Sequence, residues 1–310
     1  MPQHELDRTM KLTFVSTIHA SKWSEGNAIL LAESIRTFGG AVSQYPIRFL
    51  CPNPNDEISQ RVRERLFSSG ATIVPVKADE SIPDFPFADD VQAAAYAESL
   101  ELGISDLMAW LGNDTIVLQE PKAFMLPAGK SLGYRPVHIT NIGSQLNSPL
   151  DPFWTAIYER LNVPQDRVFP MKAHIEEISI RPYFNAGHLI VRPERRLLQE
   201  WRNAFFQIYD DAGLQRLYRQ DENYSTFIHQ AVLAGVILSS LTRGEMEELP
   251  REYNYPIHLY DQDKTRTRPS SLEELVTFRH HEFFEHPEWP NKIPVGEALN
   301  NWIRSRLPRT

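Results

Sequence analysis

Apolar and polar positions along the chain fall into short blocks whose period switches repeatedly. Leu12–Ile18 (LTFVSTI) is a nearly unbroken apolar run of the length a buried strand needs. Ala28, Leu31, Ala32, Ile35 and Phe38 then recur at helical spacing, with Ser24 as the capping residue and Gly39-Gly40 as the stop. Ile47–Cys51 reads as a second strand, closed by Pro52 and Pro54. Ile58, Val62 and Leu66 mark a helix capped by Asn55 and stopped by Gly70. Ala71–Val76 is a third strand, Val91–Leu102 a helix, and Leu107–Leu111 a fourth strand.

Strand and helix therefore alternate four times in the first ~110 residues, the pattern of an α/β protein whose mixed, mostly parallel sheet carries helices on both faces. Ligands of such sheets sit beyond the carboxyl ends of the strands. The loops His19–Glu25 and Gly112–Asp114 meet that description. The second half is less regular. Pro127 to Pro182 is broken by prolines and reads as loop, with one short helix near Phe153–Leu161. Phe184–Val191 is a strand. Leu197, Trp201, Ala204, Phe205 and Ile208 mark one amphipathic helix. Tyr224, Phe227, Ile228 and Ala231 mark another, opening near Asp221. Leu275–Phe278 is the last apolar run before a basic tail. No repeat, low-complexity stretch or linker divides the chain. One sheet is expected from Leu12 to about Val191, in a unit spanning residues 10–260, with residues 261–310 packed on it.

Composition narrows the classes. The 310 residues are 42% hydrophobic and 23% charged, enough for a sizeable core. A formal charge of −8 gives no basic footprint for nucleic acid. Cys51 is the single cysteine, which excludes a disulfide framework or a cysteine zinc site within the chain. No apolar run approaches the ~18 residues of a membrane span. Met1 to Lys11 is polar and lacks a signal-peptide core, so a cytoplasmic protein is expected.

Several familiar motifs fail. Gly129-Lys130-Ser131 ends like a phosphate-binding loop, but Phe124 stands where that motif needs glycine. His281-Glu282-Phe283-Phe284-Glu285-His286 misses the spacing of both zinc-protease helices. Neither GxGxxG nor GxSxG occurs, so a dinucleotide dehydrogenase or serine hydrolase has no support.

What remains is a set of segments in one order. Trp110-Leu111-Gly112-Asn113-Asp114-Thr115 carries an acid where a strand runs out, with Gly112 two positions before it. Tyr183-Phe184-Asn185-Ala186-Gly187 opens a strand with small residues that let a ligand approach the backbone. Asp221-Glu222-Asn223 opens a helix, Leu249-Pro250 and Tyr253-Asn254 follow it, and His280-His281 with Pro287 and Trp289 close the series. In this order they resemble the GT-A glycosyltransferases, family 8 in particular (glycogenin and the lipopolysaccharide glycosyltransferases). The departures are Gly112 in place of the first acid of Asp-x-Asp, Glu222 in place of a glutamine, and His286 near the position of the closing lysine.

The resemblance implies a GT-A-like, Rossmann-like sheet and transfer of a sugar from a nucleotide-diphosphate donor, a UDP-sugar first, to an unknown acceptor. It places Thr17, Ile18 and His19 by the base and ribose, Trp110, Asn113 and Asp114 by the diphosphate, and Asn185, Ala186 and Gly187 by the sugar. His138 and Asn141 would face the acceptor. Asp114 and His281 would hold a divalent cation, Mn²⁺ or Mg²⁺, bound together with the nucleotide and neutralising charge on the leaving group. Glu222, projecting into the cleft from the helix start, is the expected catalytic carboxylate, beside Asp221 as the helix cap. A catalytically degenerate binding protein on the same fold is the alternative, with Gly112 as its support. A nucleotidyltransferase or sugar-nucleotide hydrolase ranks third, because the loop Ala20–Gly26 has one lysine and one glycine.

Overall fold

The computed structural model describes residues 10–307 apart from Pro54, residues 78–82 and Pro287. Pro54 and Pro287, read above as a strand stop and as part of the closing segment, lie outside the described residues, as does most of the polar start.

The first half builds as its periodicity dictates. Strands β1 (Leu12–Thr17), β2 (Ile47–Cys51), β3 (Ala71–Pro75) and β4 (Leu107–Leu111) alternate with helices α1 (Lys22–Phe38), α2 (Gln60–Ser68) and α3 (Ala88–Glu101). All four strands are parallel, paired β1 with β2, β1 with β4 and β2 with β3. β4 turns at Gly112–Asp114 into β5 (Thr115–Val117), and β6 (Leu132–Pro136) follows. Then come α4 (Pro152–Arg160), the small antiparallel pair β7 (Met171–Lys172) and β8 (Ser179–Ile180), and β9 (Phe184–Val191). Helices α5 (Leu197–Ile208), α6 (Ala212–Tyr218) and α7 (Glu222–Ser240) precede the short strands β10 (Met246–Glu248), β11 (Tyr255–Pro256) and β12 (Thr277–Arg279), and α8 (Glu297–Arg304) closes the chain.

The main sheet has seven strands in the order β10-β6-β9-β4-β1-β2-β3, with β9 antiparallel to both its neighbours. Consecutive strand residues point to opposite faces, and both faces are covered. Phe14, Phe49 and Ala109 pack with α1 and α2, whereas Val15, Leu50, Met108 and Trp110 pack with α3, α4, α5 and α7. That double coverage is why the strands read as continuous apolar runs. A second sheet, β11-β12-β5, carries its own cluster, in which Tyr255, Phe278, Trp289 and Ile303 are buried against Leu30 of α1. Burying a side chain as large as Trp289 is worth several kcal/mol at ~25 cal/mol per Å².

Five local expectations change. Ser21, not Ser24, caps α1, accepting from Ser24 N at 3.2 Å. α2 begins at Gln60 behind Ser59 rather than at Asn55, whose carboxamide makes no cap. β6 is a sheet strand inside the stretch read as loop. The sheet also extends past Val191, since β10 pairs with β6, and three residues are too few to show a period. Lastly, the apolar run Leu275–Phe278 becomes strand only in its second half, since β12 covers Thr277–Arg279 behind a 3₁₀ turn at Leu272–Glu274. No described helix is long and apolar enough to cross a membrane.

Candidate functional site

A cleft of about 810 Å³ opens where the carboxyl ends of β1 and β4 meet β9, α3, α7 and the end of β12. Thr17 and His19 reach it from β1, Ser24 and Asn27 from α1, and Asp90 from the first turn of α3. Trp110, Asn113 and Asp114 come from the end of β4, and Asn185, Ala186 and Gly187 from β9. Phe227 and Gln230 enter from α7, and His258, Arg279 and His281 from the C-terminal part.

Hydrogen bonds between elements set the walls. Ser24 Oγ accepts from His19 N at 2.9 Å and from Asn113 Nδ2 at 2.8 Å, so one hydroxyl ties the loops after β1 and β4 together. Trp110 Nε1 donates to the Ala186 carbonyl at 3.1 Å, and Gln230 Oε1 accepts from Ala186 N at 3.0 Å. The opening of β9 is thereby held from both sides. Its Asn185 Oδ1 accepts from Gly187 N at 3.1 Å. His138 Nε2 lies 3.0 Å from the Asn254 carbonyl and 3.3 Å from Asn185 Nδ2.

At one end of this wall sits an ion pair. Arg279 Nε donates to Asp114 Oδ1, while Asp114 Oδ2 accepts from His281 N at 3.0 Å and lies 3.5 Å from His281 Nδ1. β12 pairs antiparallel with β5, placing Arg279 opposite Thr115 and so beside Asp114. The guanidinium then lies against Gly112 and Gly187. A Cβ on Gly112 would come 2.5 Å from Arg279 Cζ, and one on Gly187 would collide with Nη1. Burial by itself would raise the Asp114 pKa, but the charges of Arg279 and then His281 outweigh it and hold the carboxyl well below the usual range. Burial pushes His138 well below its ordinary value, helped by His174 and Arg279, and takes His258 down to about 3.

The donor set can be tested against a metal. Asp114 is already neutralised by Arg279, and Gly112 brings no second carboxylate. A divalent ion on Asp114 would face the guanidinium, and even two unit charges ~4 Å apart repel by about 4 kcal/mol at a surface-like dielectric. The oxygen site expected for Mn²⁺ or Mg²⁺ on Asp114 therefore does not fit the residues present. Nearby, His138, His258 and His281 each turn a nitrogen to within 4.8 Å of the others, and His258 Nδ1 is buried with no hydrogen-bond partner among the described residues. This nitrogen set could hold a softer cation.

The structure brings Thr17, His19, Trp110, Asn113, Asp114, His138, Asn141, Asn185, Ala186, Gly187 and His281 to one cleft. Three expected residues stand elsewhere. Ile18 is fully buried, its amide donating to the Leu50 carbonyl. Asp221 and Glu222 are exposed and do not line the cleft. The reason is helical rise: α7 meets the cleft at Phe227 and Gln230, and Gln230 lies ~12 Å along the axis from Glu222. Asp221 does cap α7, accepting from Asn223 N at 2.9 Å. Gly187 is covered by Arg279 rather than open to a ligand. Sequence reasoning missed Asp90, Gln230, His258 and Arg279. Asp90 carried a weak signal as an acid in a helix's first turn, and Arg279 carried none.

The family model described as the Rhodobacterales glycosyltransferase domain matches residues 15–240. No curated protein matches the sequence. Among solved structures, an active-site mutant of LgtC is similar over 97% of each chain, with 13% identity and a TM-score of 0.52. LgtC described as a galactosyltransferase with donor and acceptor sugar analogues aligns over 94% of this chain and 99% of that one, with 15% identity and a TM-score of 0.46. Core-mannan synthase A from Aspergillus fumigatus, in a Mn/GDP form, covers 80% of this chain and 74% of its own, with 10% identity and a TM-score of 0.46.

Proposed function

The chain belongs to the Rhodobacterales glycosyltransferase domain family and has the GT-A fold, and from that premise we propose that its cleft binds a nucleotide-diphosphate sugar, a UDP-sugar first. Transfer would be to a sugar-containing acceptor. Thr17 and His19 would face the base and ribose. Asn113, beside Asp114, would face the diphosphate, and Asn185 with Ala186 the donor sugar. His138 and Asn141 would line the acceptor side. Residues 10–260 would form the transferase unit, with residues 261–310 packed on it.

The observation that carries this reading is convergence. Three segments distant in sequence, Thr17 with His19, the end of β4 from Trp110 to Asp114, and Asn185–Gly187, meet at the carboxyl ends of parallel strands around one cavity of about 810 Å³. That volume suits a nucleotide sugar. In this arrangement Trp110 and Gln230 fix the backbone of Ala186 from both sides, so the sugar would meet preset donors and acceptors rather than a mobile loop.

A thermal-shift screen of nucleotides and nucleotide sugars, each with EDTA and with Mn²⁺, tests it. A ligand at one hundred times its dissociation constant should stabilise the fold by ~2.7 kcal/mol. A screen in which no nucleotide or nucleotide sugar shifts the melting temperature would remove the donor assignment.

A further inference from the structure

We propose that the Arg279 guanidinium is the built-in counter-charge for the donor diphosphate, so that this transferase binds its nucleotide without a divalent cation. The inference rests on the donor reading above and deepens it.

A diphosphate needs local positive charge, and the chain as a whole is acidic at −8. Among the described residues lining the cleft, Arg279 is the only lysine or arginine. Its position is built rather than incidental. Nε is fixed on Asp114, which anchors the head and sets its plane. Neither terminal nitrogen has a hydrogen-bond partner among the described residues, which leaves a fork of N–H groups of the kind that binds phosphate oxygens in pairs.

The space for the head is provided by two absent side chains. Nη2 and Nη1 lie 2.7 and 2.8 Å from where a Gly112 Cβ would stand, and Nη1 overlaps that of Gly187. Any larger residue at either position would expel the guanidinium. Gly112 is thus more than a lost acid. A dication between two carboxylates and a guanidinium on one carboxylate carry the same net charge. Exchanging an acid for glycine and seating an arginine in the gap keeps the electrostatics while removing the ion. Asn113, next to Gly112 in the chain and tied to Ser24 at 2.8 Å, lines the same cleft and would add a polar group to the diphosphate wall.

The test uses calorimetry with UDP, GDP and inorganic pyrophosphate, the last isolating the diphosphate from the base. The wild-type dissociation constant should change by no more than about twofold between excess EDTA and Mn²⁺. Arg279→Lys, which keeps the charge and loses the fork, should weaken binding roughly tenfold in EDTA. Because Arg279→Ala would bury Asp114 unpaired, the neutral pair Arg279→Gln with Asp114→Asn serves as the folded control and should lose roughly a hundredfold or more. Wild-type binding that vanishes in EDTA and returns with Mn²⁺ would overturn the inference and leave the donor reading standing. Both variants binding as tightly as the parent would overturn it too. If the parent binds none of the three probes with or without Mn²⁺, the donor reading falls and takes this inference with it.

Discussion

Thr17 Oγ1 donates a hydrogen bond to Asp90 Oδ1 across 3.0 Å, joining the carboxyl end of β1 to the first turn of α3 on the wall of the cleft. Burial raises the Asp90 pKa, and the Thr17 hydroxyl pulls it partly back. Among the described residues no hydrogen bond is made to the second carboxylate oxygen, and under the proposed donor reading it would accept from an N–H or hydroxyl of the nucleotide. Asp90→Asn should therefore weaken nucleotide binding by roughly five- to tenfold, the net value of one hydrogen bond. Calorimetry on the variant checks this, with the melting temperature confirming the fold. Unchanged affinity would make the pair a purely structural link.

Gly112→Ala is expected to act at a distance from its own small size. The added Cβ would lie 2.5 Å from Arg279 Cζ, forcing the guanidinium off Asp114. Overpacking and a weakened buried ion pair together should cost about 1–3 kcal/mol in urea unfolding. Nucleotide affinity should drop alongside. Gly103→Ala is the control, because nothing lies within 4 Å of a Cβ there; its positive φ makes it mildly strained, but it should leave affinity unchanged.

The two acids at the start of α7 should separate by phenotype. Asp221 caps the helix and is exposed, so Asp221→Ala should cost ~0.5–2 kcal/mol of stability. Glu222 is exposed and does not line the cleft, so Glu222→Gln should transfer sugar at the parental rate and melt within a degree or so of it. A large loss of turnover in the Glu222 variant would mean that α7 moves when donor binds.

Glu98 supplies a pH-dependent contribution to stability. It is fully buried in α3, and its carboxylate accepts from Leu198 N at 3.2 Å and Gln199 N at 2.9 Å, acting as the missing cap of α5. Burial, opposed by those N–H groups, lifts its pKa to about 7. A carboxyl raised in the folded state favours folding below its unfolded value near 4.5, and that contribution is lost as pH rises toward 7. Glu98→Gln removes the titration. Its stability relative to the parent should therefore improve between pH 5 and pH 8, by as much as about 3 kcal/mol. Urea unfolding at the two pH values measures this, and parallel pH profiles for the two proteins would contradict it.

Much of the scaffold was legible because local physics decides it. Strands buried on both faces must be continuously apolar, and α1 and α5 expose their periods whatever they pack against, whereas α7, read as amphipathic, is buried all round from Ile228 to Leu238. The loops after β1 and β4 were identifiable as cleft-lining because the parallel alternation fixes which strand ends lie together. Asn185–Gly187 could be read from its small residues at a strand entrance.

The sequence could not say which distant side chains would share a space. Whether α7 meets the cleft at its first turn or its third depends on how the helix docks, and this moved the contact from Glu222 to Phe227 and Gln230. Strands of three residues, such as β10 and β12, have no period to read and exist only through their partners. Arg279 shows this most plainly. It lies 165 residues beyond Asp114, in a strand whose register is set by pairing with β5. Only that register brings its charge into the gap at Gly112, and a position in space is a property of the fold rather than of any local run of residues.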